Sequence, residues 1–210
     1  MNYQLIYKNF KQVAEYEEDS EHPFFEPASP SSMAILTDLH DTCLSHSAIW
    51  TEKDIDALSN LKIPASIMRF YQEMNPINAP MNDAGIYLTD LNSIRDEYSQ
   101  LAPGCYLIKF GLLVIATTIG GDPIIADLYD ENAPVFICNH DLLSHEQKDG
   151  QVILSFLFPT ESLQNQYGDN IPVNRSTILQ YLTLIEKSFE IFMTKLSRNE
   201  YDYDLEDLLD

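Results

Sequence analysis

Five histidines, three cysteines and 33 acidic residues are the groups in this 210-residue chain that could carry chemistry. Their spacing argues mostly against it. His22, His40, His46, His140 and His145 fall in expected loops or near element ends, without the HExxH step that lets two imidazoles share a metal. His140-Asp141 with His145 comes nearest to a metal cluster, but a five-residue step does not put two rings on one helical face. Cys43, Cys105 and Cys138 are odd in number and lack CxxC spacing. Two of them lie in apolar runs, where reduced thiols are usually structural. GxGxxG, GxxxxGK[ST] and GxSxG are all absent, so no standard phosphate cradle or nucleophile elbow exists. Asp122, Asp127 and Asp130 sit near expected strand ends, where turn solvation accounts for them, and 33 carboxylates give spacing no power to select an acid and a base. No catalytic residue, metal or cofactor is therefore expected.

Charge is the more informative property. Lys and Arg total 12 against 33 Asp and Glu, a formal net charge of −21 at pH 7. Such a surface repels phosphate backbones, which argues against nucleic acid, and steers a basic protein partner by long-range attraction; solubility alone is the competing explanation. The end of the sequence, RNEYDYDLEDLLD from Arg198 to Asp210, alternates acidic with aromatic or leucine residues. It reads either as a solvated tail or as a short interaction segment. In the second reading the partner-binding residues are Tyr201, Asp202, Tyr203, Asp204, Leu205, Glu206 and Asp207, with rings and leucine anchoring while carboxylates meet a basic surface. No basic, apolar leader follows Met1 and no apolar run approaches the roughly 20 residues of a membrane span, so the expectation is a cytoplasmic protein without membrane insertion.

The elements that must position these groups follow from periodicity. Ala102 to Asp141 holds four apolar runs, Cys105–Phe110, Leu112–Thr118, Pro123–Leu128 and Pro134–Cys138, each of strand length and bounded by turn formers. They predict a meander of antiparallel strands, with Gly120-Gly121 and Asp130 to Ala133 at its hairpin turns. Helices are predicted over Asn2–Glu18, Ala34–Ser45, Glu52–Lys62, Ala65–Met74 and from Asp90 or Asn92 through Leu101, with a strand at Gly85–Leu88. Prolines through Ser32 mark a loop, as do the polar segments Ser144–Gly150 and Ser162–Val173. Val152–Phe158 reads as a further buried strand. Ser176 to Leu196 places Ile178, Leu182, Ile185, Phe189, Phe192 and Leu196 at alternating steps of four and three, which predicts one long helix covering the sheet. The fold class is α+β, with a single, mostly antiparallel sheet of about six strands backed by helices.

The segment LKIPASIMRFYQEMN, Leu61 to Asn75, resembles the proline-started helix of the SUKH superfamily. GIYLTDL, Gly85 to Leu91, resembles that family's strand leading into its next helix, and FGLLVIATTIGGDPIIAD, Phe110 to Asp127, its apolar hairpin around a Gly-Asp turn. Pro134-Val135-Phe136 with Asn139-His140-Asp141 is similar to the following strand and its polar exit. The family includes a cell-wall assembly regulator, a SecY-interacting protein and many bacterial toxin-immunity proteins. The resemblance divides the chain into an N-terminal helical extension with a Pro-rich loop over 1–50, a SUKH-like α+β domain over 51–197 and an acidic tail over 198–210. It implies a non-catalytic domain that binds protein, with no catalytic residues to carry over. Together with charge, it points to an immunity protein that neutralises a basic, often nuclease, toxin domain. A regulatory adaptor of the cell-wall or translocon-associated type is the alternative, and a carboxylate-dependent enzyme the third.

Overall fold

Unbroken apolar runs between turn formers dictate buried strands only when a neighbour satisfies their backbone groups, and the computed structural model shows which runs found one. It describes residues 6, 25–39, 41, 52–77, 81–82, 84–99, 101–149, 151–201 and 205–209. Of the expected helix over Asn2–Glu18 only Ile6, a buried residue, is described, and Thr51, the residue before the expected Glu52–Lys62 helix, lies outside the described residues.

Strand β1 (Phe25–Glu26) pairs antiparallel with β2 (Asn75–Pro76). Between them come helices α1 (Pro30–Thr37), α2 (Glu52–Ser59) and α3 (Ala65–Met74). Helix α1 starts four residues before the expected Ala34 because Pro30 takes the first turn, where no N–H is needed, and Ser29 Oγ accepts the Ser32 N–H at 3.1 Å. Strand β3 (Tyr87–Leu88) leads into α4 (Leu91–Ser99), whose free N–H groups on Asn92 and Ser93 are donated to Asp90 Oδ1 at 2.7 and 3.0 Å.

The first expected meander strand is helical. Cys105–Phe110 forms α5 (Gly104–Leu107) and a 3-10 turn over Ile108–Phe110. A short apolar run has no period to separate a strand from a buried helix, and Gly111 ends this one in the left-handed region at φ 75°, bringing its N–H onto Ile108 O at 2.8 Å. A Cβ at Gly111 would come within 2.3 Å of the Tyr129 ring. Strands β4 (Leu112–Thr117), β5 (Pro123–Asp127) and β6 (Val135–Ile137) form the expected antiparallel meander, with Gly121 at φ 91° in the first turn.

Three later expectations are corrected. The polar segment read as a loop is strand β7 (Leu143–Lys148), which pairs along its whole length with β8 (Gln151–Phe156). Two-stranded pairing does not require burial, so β7 carries exposed His145, Glu146, Gln147 and Lys148. This hairpin stands apart from the main sheet. The expected single sheet of about six strands is thus a five-stranded antiparallel sheet, in the order β3-β4-β5-β6-β9, accompanied by two two-stranded sheets. In the segment expected to be irregular, Thr160 Oγ1 caps α6 (Glu161–Tyr167), and Gly168 ends it at φ 65°.

The long helix over Ser176–Leu196 does not form. Its span is α7 (Arg175–Ile178), strand β9 (Thr183–Glu186) and α8 (Phe189–Leu196). Asn174 and Thr177 make a capping box for the first helix, and Ser188 Oγ accepts the Ile191 N–H to start the second. β-branched Thr183 and Ile185 take the strand between them, at the open edge beside β6. A 3-10 turn over Leu205–Leu208 completes the described elements.

Alternation along the strands divides the core in two. Leu113, Ile115, Ile124, Ala126, Val135 and Ile137 face one layer with Phe70, Tyr71, Leu91, Ile94, Phe189 and Phe192. Leu112, Val114, Ile125 and Cys138 face a second layer with Leu107, Leu143, Ile178 and Leu182. The apolar spacing read as one helical stripe therefore serves both layers, Ile178 and Leu182 on one side, Phe189, Phe192 and Leu196 on the other, with Ile185 partly buried. The first layer also takes Phe25, Met33 and Leu36 from residues before 51, and Tyr201 and Leu205 from residues after 197.

Phe189 is 1% exposed and meets Phe70 edge-on with centroids 5.6 Å apart. Phe189→Ala is expected to cost about 3–5 kcal/mol in urea titration, the usual loss for emptying a large core site. A variant as stable as the parent would contradict this packing.

Candidate partner-binding surface

The antiparallel register brings the end of β4, the start of β5 and the end of β6 together at one end of the sheet. Ile124 lies opposite Ile137, and extending that register by two residues sets Asp122 beside the chain leaving β6. There the His140 imidazole donates Nδ1–H to Asp122 Oδ1 at 2.7 Å, and the His140 backbone N–H reaches the same oxygen at 2.9 Å. Asp122 is held in turn, its own N–H going to Thr118 Oγ1 at 3.0 Å. With Nδ1 committed, Nε2 points toward Asp141, whose Oδ2 lies 3.6 Å away. The Asp122 side chain is 11% exposed and that of His140 49%, so a buried carboxylate aims a half-open imidazole.

The acidic neighbours raise the His140 pKa above its ordinary value. The Asp122 hydrogen bond is the largest cause, opposed by partial desolvation and reinforced by the charges of Asp122, Asp141 and Glu206. A raised folded-state value means that the bridge stabilises the fold fully below the ordinary histidine range and loses that contribution as pH rises through the folded value.

The C-terminal 3-10 turn closes over this end of the sheet. Glu206 Oε1 accepts the Gly120 N–H of the β4–β5 turn at 2.8 Å, while Leu205, one residue earlier, is fully buried in the first layer. The same end of the molecule exposes apolar side chains. Ile119 is 67% exposed at the turn tip, and Met81 bridges to Tyr87, opposite Thr117. Leu157 is tied by its N–H to Leu142 O directly after Asp141, and the next residue, Phe158, is 72% exposed. Tyr181 fixes Phe158 by donating its hydroxyl to the Phe158 carbonyl at 2.6 Å while stacking on Phe156. With Leu208, these are five of the ten exposed large apolar residues among those described, so apolar knobs and carboxylates concentrate at one end.

The residues proposed from sequence are distributed differently. Tyr201 and Leu205 are buried in the chain's own core, where they cannot also be surface anchors for a partner. Tyr201 packs on Phe192 with centroids 5.7 Å apart. Glu206 and Asp207 reach the surface described above, whereas Asp202, Tyr203 and Asp204 lie outside the described residues. Asp127 is paired with Arg175, whose guanidinium also donates to Phe110 O and covers the Tyr129 ring at 4.7 Å. Asp130 receives the Asn132 N–H at the hairpin tip. His145 sits away from His140, its Nδ1 2.5 Å from the Tyr106 hydroxyl. Among the described residues no group of three or more His, Cys, Asp or Glu is arranged to hold a metal ion, and no helix is long and apolar enough to cross a membrane. Neither the exposed Ile119 nor the Asp122–His140 pair was singled out from sequence; the pair was readable from the β5–β6 register.

The two described thiols, Cys105 and Cys138, are buried and held toward the protonated form. Burial pushes Cys105 up to about 12, with the Glu97 charge adding to it, and burial with the Asp122 charge pushes Cys138 up as well. Glu97 itself is raised to about 7 by burial against Gly104 and by the charge of Asp96. An acid with a raised folded-state pKa loses stability as pH climbs from its ordinary value to the folded one, since the unfolded chain ionises first. Glu97→Gln is therefore expected to raise the melting temperature relative to the parent, by a gap that widens from about pH 5 to pH 7 and is constant above. A gap independent of pH in thermal melts would contradict the buried, protonated carboxyl.

No protein-family model, curated protein or solved structure matches the chain. What the geometry defines by itself is a mixed α/β protein with an acidic, apolar-studded surface at one end of its main sheet.

Proposed function

We propose that this chain is a non-catalytic protein-binding domain that captures a basic partner at the end of the sheet around Ile119, Asp141, Phe158 and Glu206. The observation that carries this reading is the concentration of exposed apolar side chains beside carboxylates, on backbone fixed by strand pairing, in a chain of net charge −21. Apolar knobs on a rigid frame supply short-range contact, and surplus negative charge supplies encounter. The resemblance of the Phe110–Asp127 hairpin and the Leu61–Asn75 helix to the SUKH superfamily narrows the partner to a toxin domain, with the chain acting as its immunity protein in the cytoplasm. This end of the sheet takes the role that the sequence alone gave to the last residues, because Tyr201 and Leu205 are engaged in the core.

A photo-reactive group placed at Ile119 or Phe158 is expected to cross-link a basic protein in the native host, while one placed at exposed Ile191 on α8 does not. For that partner, stopped-flow association is expected to slow by about tenfold or more between about 50 and 500 mM salt, a range that spans weak to strong screening. Asp141→Lys should reduce the on-rate and its salt dependence. Cross-linking from Ile191 alone would misplace the surface, and a flat salt response would show that the charge does not steer.

A further inference from the structure

Among the described residues, His140 is the group at this end of the sheet that can carry positive charge and is already seated among the carboxylates a basic partner would seek. Its contacts come from three elements. Asp122 from the β4–β5 turn holds Nδ1, Asp141 from its own segment faces Nε2 at 3.6 Å, and Glu206 from the C-terminal 3-10 turn adds its charge while bound to Gly120 N–H. The Asp141 side chain is 58% exposed, open to an incoming group on the side away from the imidazole. Protonated His140 is thus an internal cation paired to an accessible carboxylate.

Resting on the docking surface proposed above, we infer that Asp141 receives a lysine or arginine of the partner, that His140 competes for it, and that capture releases a proton. The proton leaves from Nε2 to solvent, because Nδ1–H remains donated to buried Asp122. Two cations beside Asp141 repel each other, so the bound partner favours neutral His140, and by linkage a neutral His140 favours the partner. Asp122 has a defined part in this: it keeps the ring in the orientation and tautomer in which only the Asp141-facing nitrogen changes charge. Attraction to a basic partner then rises with pH through the range in which this histidine titrates, since the surface gains one negative charge net.

The test uses the full chain and a hexa-arginine peptide ending in tryptophan and labelled with tetramethylrhodamine, whose charge does not change over the pH range compared, at low salt. Affinity by fluorescence anisotropy is expected to be about fivefold or more tighter at pH 8 than at pH 5.5, the lower end of ordinary coupling between sites. His140→Gln should abolish that difference, which separates its contribution from that of every other group changing charge in this window, Glu97 among them. Asp141→Asn should weaken binding at pH 8 and flatten the profile. As a second readout on the parent chain, the NMR titration midpoint of the His140 ring, its signal assigned by its loss in His140→Gln, should fall by about 0.7 pH units when the peptide saturates, the same coupling read from the other side. Binding that is equal at both pH values, or a His140 midpoint unmoved by peptide, would overturn this inference and leave the docking surface standing. No binding at pH 8 would overturn both.

Discussion

Strand β4 is buried on both of its faces, and that single fact dictates most of the architecture. From Leu112 to Ala116 no residue is more than 1% exposed, so the strand needs a hydrogen-bonded neighbour on each edge and an apolar layer above and below. Its edges are taken by β3 and β5. One face draws in α3, α4 and α8, the other draws in α5, α7 and the β7–β8 hairpin. The bulge between Val114 and Ala116 adjusts the alternation, setting Ile115 and Ala116 in succession toward the helical layer. Burial of that extent is what makes the end of the sheet a stiff platform.

The proposed surface inherits its order from this platform. Asp122 and His140 are adjacent only because β5 and β6 pair in one register; a slip of one residue would turn Ile124 and Ile137 off the core. The core thus guards the geometry of groups that do not belong to it. In the same way Leu205, sunk in the first layer, is the anchor that lets Glu206 reach the Gly120 N–H. Charge alone would not locate a surface on so acidic a chain, but exposed Ile119 and Phe158 do, since apolar side chains of that size left open on fixed backbone call for an explanation.

Legibility from sequence followed the kind of constraint involved. The meander from Leu112 to Ile137 was readable because β-branched runs alternate with Gly-Gly-Asp-Pro and Asp-Glu-Asn-Ala turns, signals local to a few residues. Helix α3 was readable for the same reason, with Pro64 at its start and a stripe of Ile67, Phe70, Tyr71 and Met74. The segment from Ser176 to Leu196 misled because steps of three and four also arise when consecutive elements serve opposite faces, and only tertiary pairing of β9 with β6 distinguishes the two. Cys105–Phe110 and β7 failed in complementary ways: the first is apolar without period, the second polar but paired. Of the site, the carboxylate excess was visible in composition, whereas its location required knowing that Tyr201 and Leu205 face inward.

The two layers differ in how far apart along the chain their members lie. The second draws every buried residue from Cys105 to Leu182, while the first joins Leu36 and Phe70 to Phe189 and Leu205, with Ile6 as a further member. Closing a longer loop costs more entropy, and contacts of large sequence separation slow folding. The layers are thus expected to assemble in order, the meander and its hairpin-covered face early and the helix-covered face late. Pulse-labelled hydrogen exchange can resolve that order, since the Val114 and Ile125 amides would gain protection before those of α8. During that interval the apolar face carrying Leu113, Ile124 and Val135 is open, and the high negative charge of the chain is then what keeps one folding molecule from another.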